Sequence, residues 1–168
     1  MPTSFIICLI CLLTWTPCCL AQEVAESGND LIYVEAGGYG GLGSINYERI
    51  SYRKQLFQLG PRIGVGFNRF MDYRNKFNPD VSIPFGVNFC YGTKWKAEIG
   101  LGTTFSSVVH VGPDLEPERI SQVHGNASIG FRYQKTEGGL LIRAGYSPIF
   151  EKFSYLRHWP YLAIGIVF

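Results

Sequence analysis

The sequence predicts an all-β chain: an antiparallel up-and-down transmembrane β-barrel of about eight strands, built inside out, with lipid outside and polar side chains in the lumen. Three observations predict it: a period of two sustained over adjacent segments, connections that alternate between short and long, and no stretch with a helical period. The clearest pair of strands lies in 81–105. Val81, Ile83, Phe85, Val87, Phe89 and Tyr91 fall on one face, against Ser82, Pro84, Gly86, Asn88 and Cys90. After Gly92-Thr93-Lys94 the rhythm resumes, with Trp95, Ala97, Ile99, Leu101 and Phe105 opposite Lys96, Glu98, Gly100, Gly102 and Thr104. Successive strand side chains point to opposite sides of a sheet, so each strand has one greasy face and one small or polar face. A soluble barrel would bury the greasy face. Here the polar faces carry so many glycines and charges that the greasy ones are expected to face lipid.

Three regions follow in order. Residues 1–21 read as a secretory signal: 5–13 is an apolar run too short to span a bilayer, and Cys19-Leu20-Ala21 resembles a small-x-small cleavage site, placing the cut between Ala21 and Gln22. A retained anchor and a lipoprotein are the alternatives, but Thr16-Pro17 does not resemble a lipobox. Cys8, Cys11, Cys18 and Cys19 lie within this segment, which leaves Cys90 alone and excludes an internal disulfide framework. Residues 22–30 are a polar, acidic, flexible lead-in, and 31–168 the barrel. All charged residues follow Ala21. The formal net charge of +2 argues against nucleic acid as a partner and against a strongly basic membrane-surface role. Twelve Phe, ten Tyr, three Trp and twenty Gly in 168 residues suit aromatic girdles around a crowded sheet.

Within the barrel, 31–37 is the first strand, with Ile32, Val34 and Ala36 opposite Tyr33 and Glu35. Glycine-rich 38–43 is a hairpin tip, 44–52 the second strand and 56–67 the third. A long polar loop, 68–80, ends on Asn78-Pro79-Asp80. The hairpin 81–105 supplies strands four and five, and 106–122 is a second long loop. The sixth strand, 123–134, sets Ala127, Ile129, Phe131 and Tyr133 against His124, Asn126, Ser128, Gly130 and Arg132. The seventh is 140–148, 150–158 a third long loop, and 159–168 the last strand. Links after strands two, four and six are short; those after three, five and seven are long. With both termini in the periplasm the long ones face outward.

In the last strand, Leu162, Ile164, Ile166 and Phe168 share one face and end on the aromatic. This resembles the C-terminal assembly signal of outer-membrane barrels. The whole of 31–168 resembles the small eight-stranded outer-membrane barrels of Gram-negative bacteria, the OmpA/OmpX type. The resemblance lies in architecture and terminal strand; it implies an outer-membrane location, outer-membrane lipid around the barrel, and insertion by the barrel assembly machinery.

Sites of chemistry are sparse. Gly38-Tyr39-Gly40-Gly41-Leu42-Gly43 spells G-x-G-x-x-G, but Ser44-Ile45-Asn46-Tyr47-Glu48 after it alternates as a strand, whereas a dinucleotide site needs a helix there. Asn126-Ala127-Ser128 is a sequon without meaning in a bacterial strand. His124, Asn126 and Ser128 invite comparison with outer-membrane lipid A deacylases, yet those point such residues toward lipid, whereas here they share the polar face and read as lumen lining. No catalytic residue is assigned. His110, His124 and His158 show no metal-ligand spacing, so no metal or other cofactor is expected.

One constellation stands out. Glu35, Glu48, Arg62, Glu98, Arg132 and Arg143 all phase inward, three acids against three guanidiniums. Unpaired charge in a narrow lumen is costly, so they should pair as a plug toward the periplasm. Above them, Gly37, Gly66, Gly102 and Ser128 are expected to line a vestibule open outward. The expected function is structural or binding, without enzymatic activity, through loops 68–80, 106–122 and 150–158. The rival functions are a small-ligand carrier or narrow channel, a lipid-modifying outer-membrane enzyme, and a secreted lipocalin-like barrel.

Overall fold

The computed structural model describes residues 28–72, 74–111, 117–135, 137–150 and 157–168; the expected signal 1–21 and most of the lead-in 22–30 lie outside the described residues. The strands are β1 (Asp30–Gly37), β2 (Gly43–Arg49), β3 (Tyr52–Lys54), β4 (Phe57–Phe67), β5 (Val81–Gly92), β6 (Trp95–Val111), β7 (Pro117–Gln134), β8 (Gly139–Phe150) and β9 (Arg157–Val167). β2 and β3 both pair with β4 and are two parts of one barrel strand, interrupted at Ile50 and Ser51. At the interruption the Ile50 N–H donates to the Asn29 carbonyl (2.7 Å) and the Ser51 N–H to the Leu59 carbonyl (2.9 Å). Eight strands therefore form the wall. Each is antiparallel to its neighbours, and β1 pairs with β9 from Leu31↔Val167 to Gly37↔Tyr161, which closes the barrel and removes every edge from the wall.

The register fixes the width. Followed one way round, cross-strand partners lead from Glu35 through Ser44, Gly66 and Ser82 to Ser106. Followed the other way they lead through Ala163, Arg143 and Arg132 to Lys96. The two arrivals on β6 are ten residues apart. With eight strands, that stagger means a tilt of about 43° and an interior just wide enough for side chains to fill.

The outer surface is apolar. Phe85, Ile99, Leu101 and Ile129 are about half or more exposed, and Val34, Ile45, Ile63 and Ile164 likewise. Their strand neighbours Glu98, Ser128, Asn46 and Ala163 are buried inside. Water would not tolerate so continuous an apolar wall; it is the pattern of a barrel that meets lipid. The fold is the expected transmembrane barrel. Aromatic rings gather outside the short-turn end, where Tyr52 meets Phe57, Phe57 meets Phe89 and Trp95 meets Tyr133.

Two expectations about connections are corrected. Most of 106–122, read as a loop, is strand: the β6–β7 ladder runs on through Ser106↔Gln122 to Val111↔Pro117. β5 pairs with β6 only as far as Ser107, and β8 meets β7 only from Gly125, so the hairpin outgrows the wall as a two-stranded ribbon. Pro117 sits at the first position of its strand, where no ladder N–H is needed. The glycine-rich 38–43 is also more than a tip. Its Gly38–Gly40 segment forms a 3-10 turn, all three residues buried, entered through Gly37 and Gly38 and left through Gly41, each at positive φ that only glycine adopts without strain. Of the third long loop, 150–158, strands cover both ends, and 151–156 lie outside the described residues.

Candidate functional site

The lumen near the short-turn end is filled by charge. Glu35, Glu48, Arg62, Glu98, Arg132 and Arg143 are all at most 4% exposed. They form an alternating chain across the interior, running Glu48–Arg132–Glu98–Arg143–Glu35–Arg62. Arg132 grips Glu48 with a two-pronged fork, Nη1 to Oε1 at 2.7 Å and Nη2 to Oε2 at 2.8 Å, while its Nε donates to Glu98 Oε2 at 2.5 Å. Arg143 donates from Nε to the Glu98 carboxylate at 3.1 and 3.2 Å, bonds Glu98 again through Nη2, and reaches Glu35 Oε2 from Nη1 at 2.9 Å. Arg62 joins Glu35 more loosely, at 3.6 Å. The rigid guanidinium suits this use, because it can present parallel donors to one carboxylate and a third to another.

Glu98 is the hub. Arg132 and Arg143 are direct cross-strand partners on β7 and β8, where like charges would repel. The Glu98 carboxylate, from β6, accepts hydrogen bonds from both and turns a repulsive pair into an attractive triad. Neutral groups complete the packing: Asn88 donates to Glu48 at 2.6 Å, and the rings of Tyr33 and Tyr39 lie 4.5 and 4.0 Å from the Arg143 and Arg62 guanidinium carbons.

Above the charges sits Tyr39, a residue of the glycine-rich segment expected to form a hairpin tip. The 3-10 turn folds into the barrel, its Tyr39 hydroxyl donating to Ser128 Oγ at 2.9 Å. Thr104 donates to the Tyr39 carbonyl (3.1 Å) and Ser82 to the Gly40 carbonyl (2.7 Å). The turn packs so closely that a Cβ on Gly66 would lie 2.2 Å from the Gly40 carbonyl oxygen, and one on Gly100 would lie 2.7 Å from the Tyr39 hydroxyl. Gly66 and Ser128, expected to line an open vestibule, are instead covered. The open space begins above Tyr39, as a cavity of about 390 Å³ at the loop end whose wall includes Asn68, Arg69, Asp80, Gln122 and Trp159.

The remaining candidates separate cleanly. Asn126 donates to Thr104 (2.8 Å) and Ser128 accepts from Tyr39, so both are tied to lumen neighbours on the inner face that His124 shares. The G-x-G-x-x-G glycines lead into β2, not into a helix. Among the described residues no three of His, Cys, Asp or Glu gather as a metal site. Leu162, Ile164, Ile166 and Phe168 line the outer face, each more than half exposed.

No protein-family model matches the chain, and no curated protein matches its sequence. Solved structures do match its shape. The chain is similar to the N-terminal β-barrel domain of OprF from Pseudomonas aeruginosa, with a TM-score of 0.55, 14% identity, and coverage of 85% of this chain and 100% of that one. It is similar also to the outer membrane protein Ail of Yersinia pestis, determined in a phospholipid bilayer nanodisc, with a TM-score of 0.51, 9% identity, and coverage of 84% and 99%. At such identities the shared property is the fold, that of the small outer-membrane barrels.

Proposed function

We propose that this chain is an outer-membrane β-barrel protein without enzymatic activity, its lumen plugged, whose work is structural or is binding done by its outer loops. In this reading 1–21 is a cleaved secretory leader, the short turns lie in the periplasm, and 68–80, 106–122 and 150–158 face outward. Outer-membrane lipid surrounds the wall, and the apolar face ending on Phe168 serves the barrel assembly machinery. The observation that carries the plugged lumen is the six-member ion chain that crosses it, capped by Tyr39. With the wall given to lipid and the interior to itself, the loop end is left to meet other molecules. The β6–β7 ribbon, standing past the wall, extends that surface.

Two measurements test this. The protein should fractionate with outer membranes and, in planar bilayers, carry no large steady current; a persistent single-channel conductance would overturn the plug in favour of a narrow channel. Phe168→Asp should lower outer-membrane yield in cells more than it lowers refolding into detergent, and equal yields would remove the assembly role.

A further inference from the structure

We infer that the cavity at the loop end is a binding site for a small neutral polyhydroxylated ligand, one or two sugar rings in size. The inference rests on the outward orientation proposed above and adds a ligand class and a place. The volume, about 390 Å³, falls in the range of ligand clefts, roughly 300–1,000 Å³, and the floor is closed by Tyr39, so a ligand would lodge and not pass. A sugar ring offers an apolar C–H face and a rim of hydroxyls that donate and accept. The cavity offers the complement. Trp159, half-buried in the wall, supplies the aromatic surface, and Asn68, Gln122, Asp80 and Arg69 supply planar polar groups of both kinds.

Two of these groups are held in place by the backbone. Asn68 Oδ1 accepts the Leu42 N–H at 2.9 Å, which leaves the amide donors for a ligand. Asp80 Oδ1 accepts the Val109 N–H at 2.7 Å, which leaves the second carboxylate oxygen. The segments carrying them are laced together, Asp80 N–H to the Arg69 carbonyl at 2.9 Å and Asn68 N–H to the Asp80 carbonyl at 3.4 Å. Groups fixed before binding lose less freedom when a ligand arrives. Charge narrows the class further. The lining carries one guanidinium (Arg69), one carboxylate (Asp80) and the imidazole of His124, so an anion meets the carboxylate and a cation meets the guanidinium; a neutral ligand meets neither penalty. An apolar ligand would strand the polar wall without partners.

The test is saturation-transfer NMR on the full chain folded in detergent, with methyl β-galactoside, methyl α-glucoside and methyl β-N-acetylglucosaminide as neutral probes and inorganic sulfate and N-acetylneuraminic acid as anionic ones. At least one neutral glycoside should receive saturation on its ring C–H protons, at affinities near millimolar. Trp159→Ala and Gln122→Ala should each weaken it at least fivefold, whereas Trp95→Phe, at the opposite end of the barrel, should leave it unchanged. Gln122 is exposed at the rim, so its substitution does not threaten the fold, and retention of the compact band on unheated gels checks every variant. No transfer to any neutral glycoside at about 10 mM, tenfold above the expected dissociation constant, overturns the inference. So does preference for the anions, or binding that ignores both Trp159→Ala and Gln122→Ala. These failures would leave membrane location standing; failure to fractionate with outer membranes would sink the location while the detergent assay still read the cavity.

Discussion

The two halves of the lumen are built on the same strands and differ in what those strands point inward. Toward the short turns the inward positions are long and charged, and six of them pair into one chain with no more than 4% exposure. Toward the loops most of them are small, Gly66, Ser82, Gly102, Thr104, Ser106 and Ser128 among them, and a turn from outside, carrying Tyr39, folds in to fill the space they leave. A barrel of one width can thus be filled in two ways: by its own wall or by a borrowed loop. The wall's filling depends on charge, the loop's on neutral hydrogen bonds and fit. Damage to each should differ in size.

The largest loss is expected from Arg132→Ala, which strands the buried Glu48 carboxylate and leaves Glu98 to Arg143 alone. Urea unfolding in phospholipid vesicles should show a loss of about 3–5 kcal/mol. A loss under about 1 kcal/mol would mean that water reaches the chain and that this half is not held by its ions. Arg62→Ala, at the loose end of the chain, should cost clearly less in the same assay. Next comes the outer face, the control for both halves: Leu101→Arg, in the middle of the lipid-facing band, should cost about 2–4 kcal/mol in vesicles. If it is neutral there, the wall does not meet lipid at that position. Gly100→Val probes the junction of the halves, since its side chain would strike Tyr39, Ser128 and Asn88. A loss of about 1–3 kcal/mol is expected, and faster hydrogen exchange at Gly40 and Gly41 should accompany it. The smallest effect belongs to the loop's filling. Tyr39→Phe removes one neutral hydrogen bond and should cost about 0.5–1.5 kcal/mol, with the lower half unchanged in exchange protection. Were Tyr39→Phe to cost as much as Arg132→Ala, the contrast between the halves would collapse.

The fold was legible because its signal is local. Alternation in Val81 to Phe105 needs no knowledge of partners to show which side chains share a face, and it places Glu98 and Arg132 inside for the same reason. What could not be read is what depends on the stagger of the closed wall. That Glu98 lies between Arg132 and Arg143, and that Arg132 reaches Glu48 across the axis, follows from the ten-residue shift round the barrel, which no single strand records. Tyr39 escaped because a turn between glycines looks the same whether it points to solvent or into the lumen. The strand from Ser106 to Val111 escaped because its alternation fails: Ser107 stands on the outer face where an apolar residue is expected and Val108 on the inner one, beside buried Ser106.

The ion chain also bears on how the molecule can form. Its links join residues 84 and 108 positions apart, Arg132 with Glu48 and Arg143 with Glu35, and β1 and β9 lie at the two ends of the barrel sequence. None of these pairs can meet early in chain collapse, because each needs strands from both sides of the final seam. Until β1 zips to β9 those two links stay open: Glu98 can already hold Arg132 and Arg143 on the consecutive strands β6, β7 and β8, but Glu48 must wait for its guanidinium, so the unfinished barrel must stay wet inside. Such late-formed contacts slow the exit from the native state more than they hasten entry. Closing the seam and completing the ion chain are one step, and the protein should be far slower to come apart than its small size suggests.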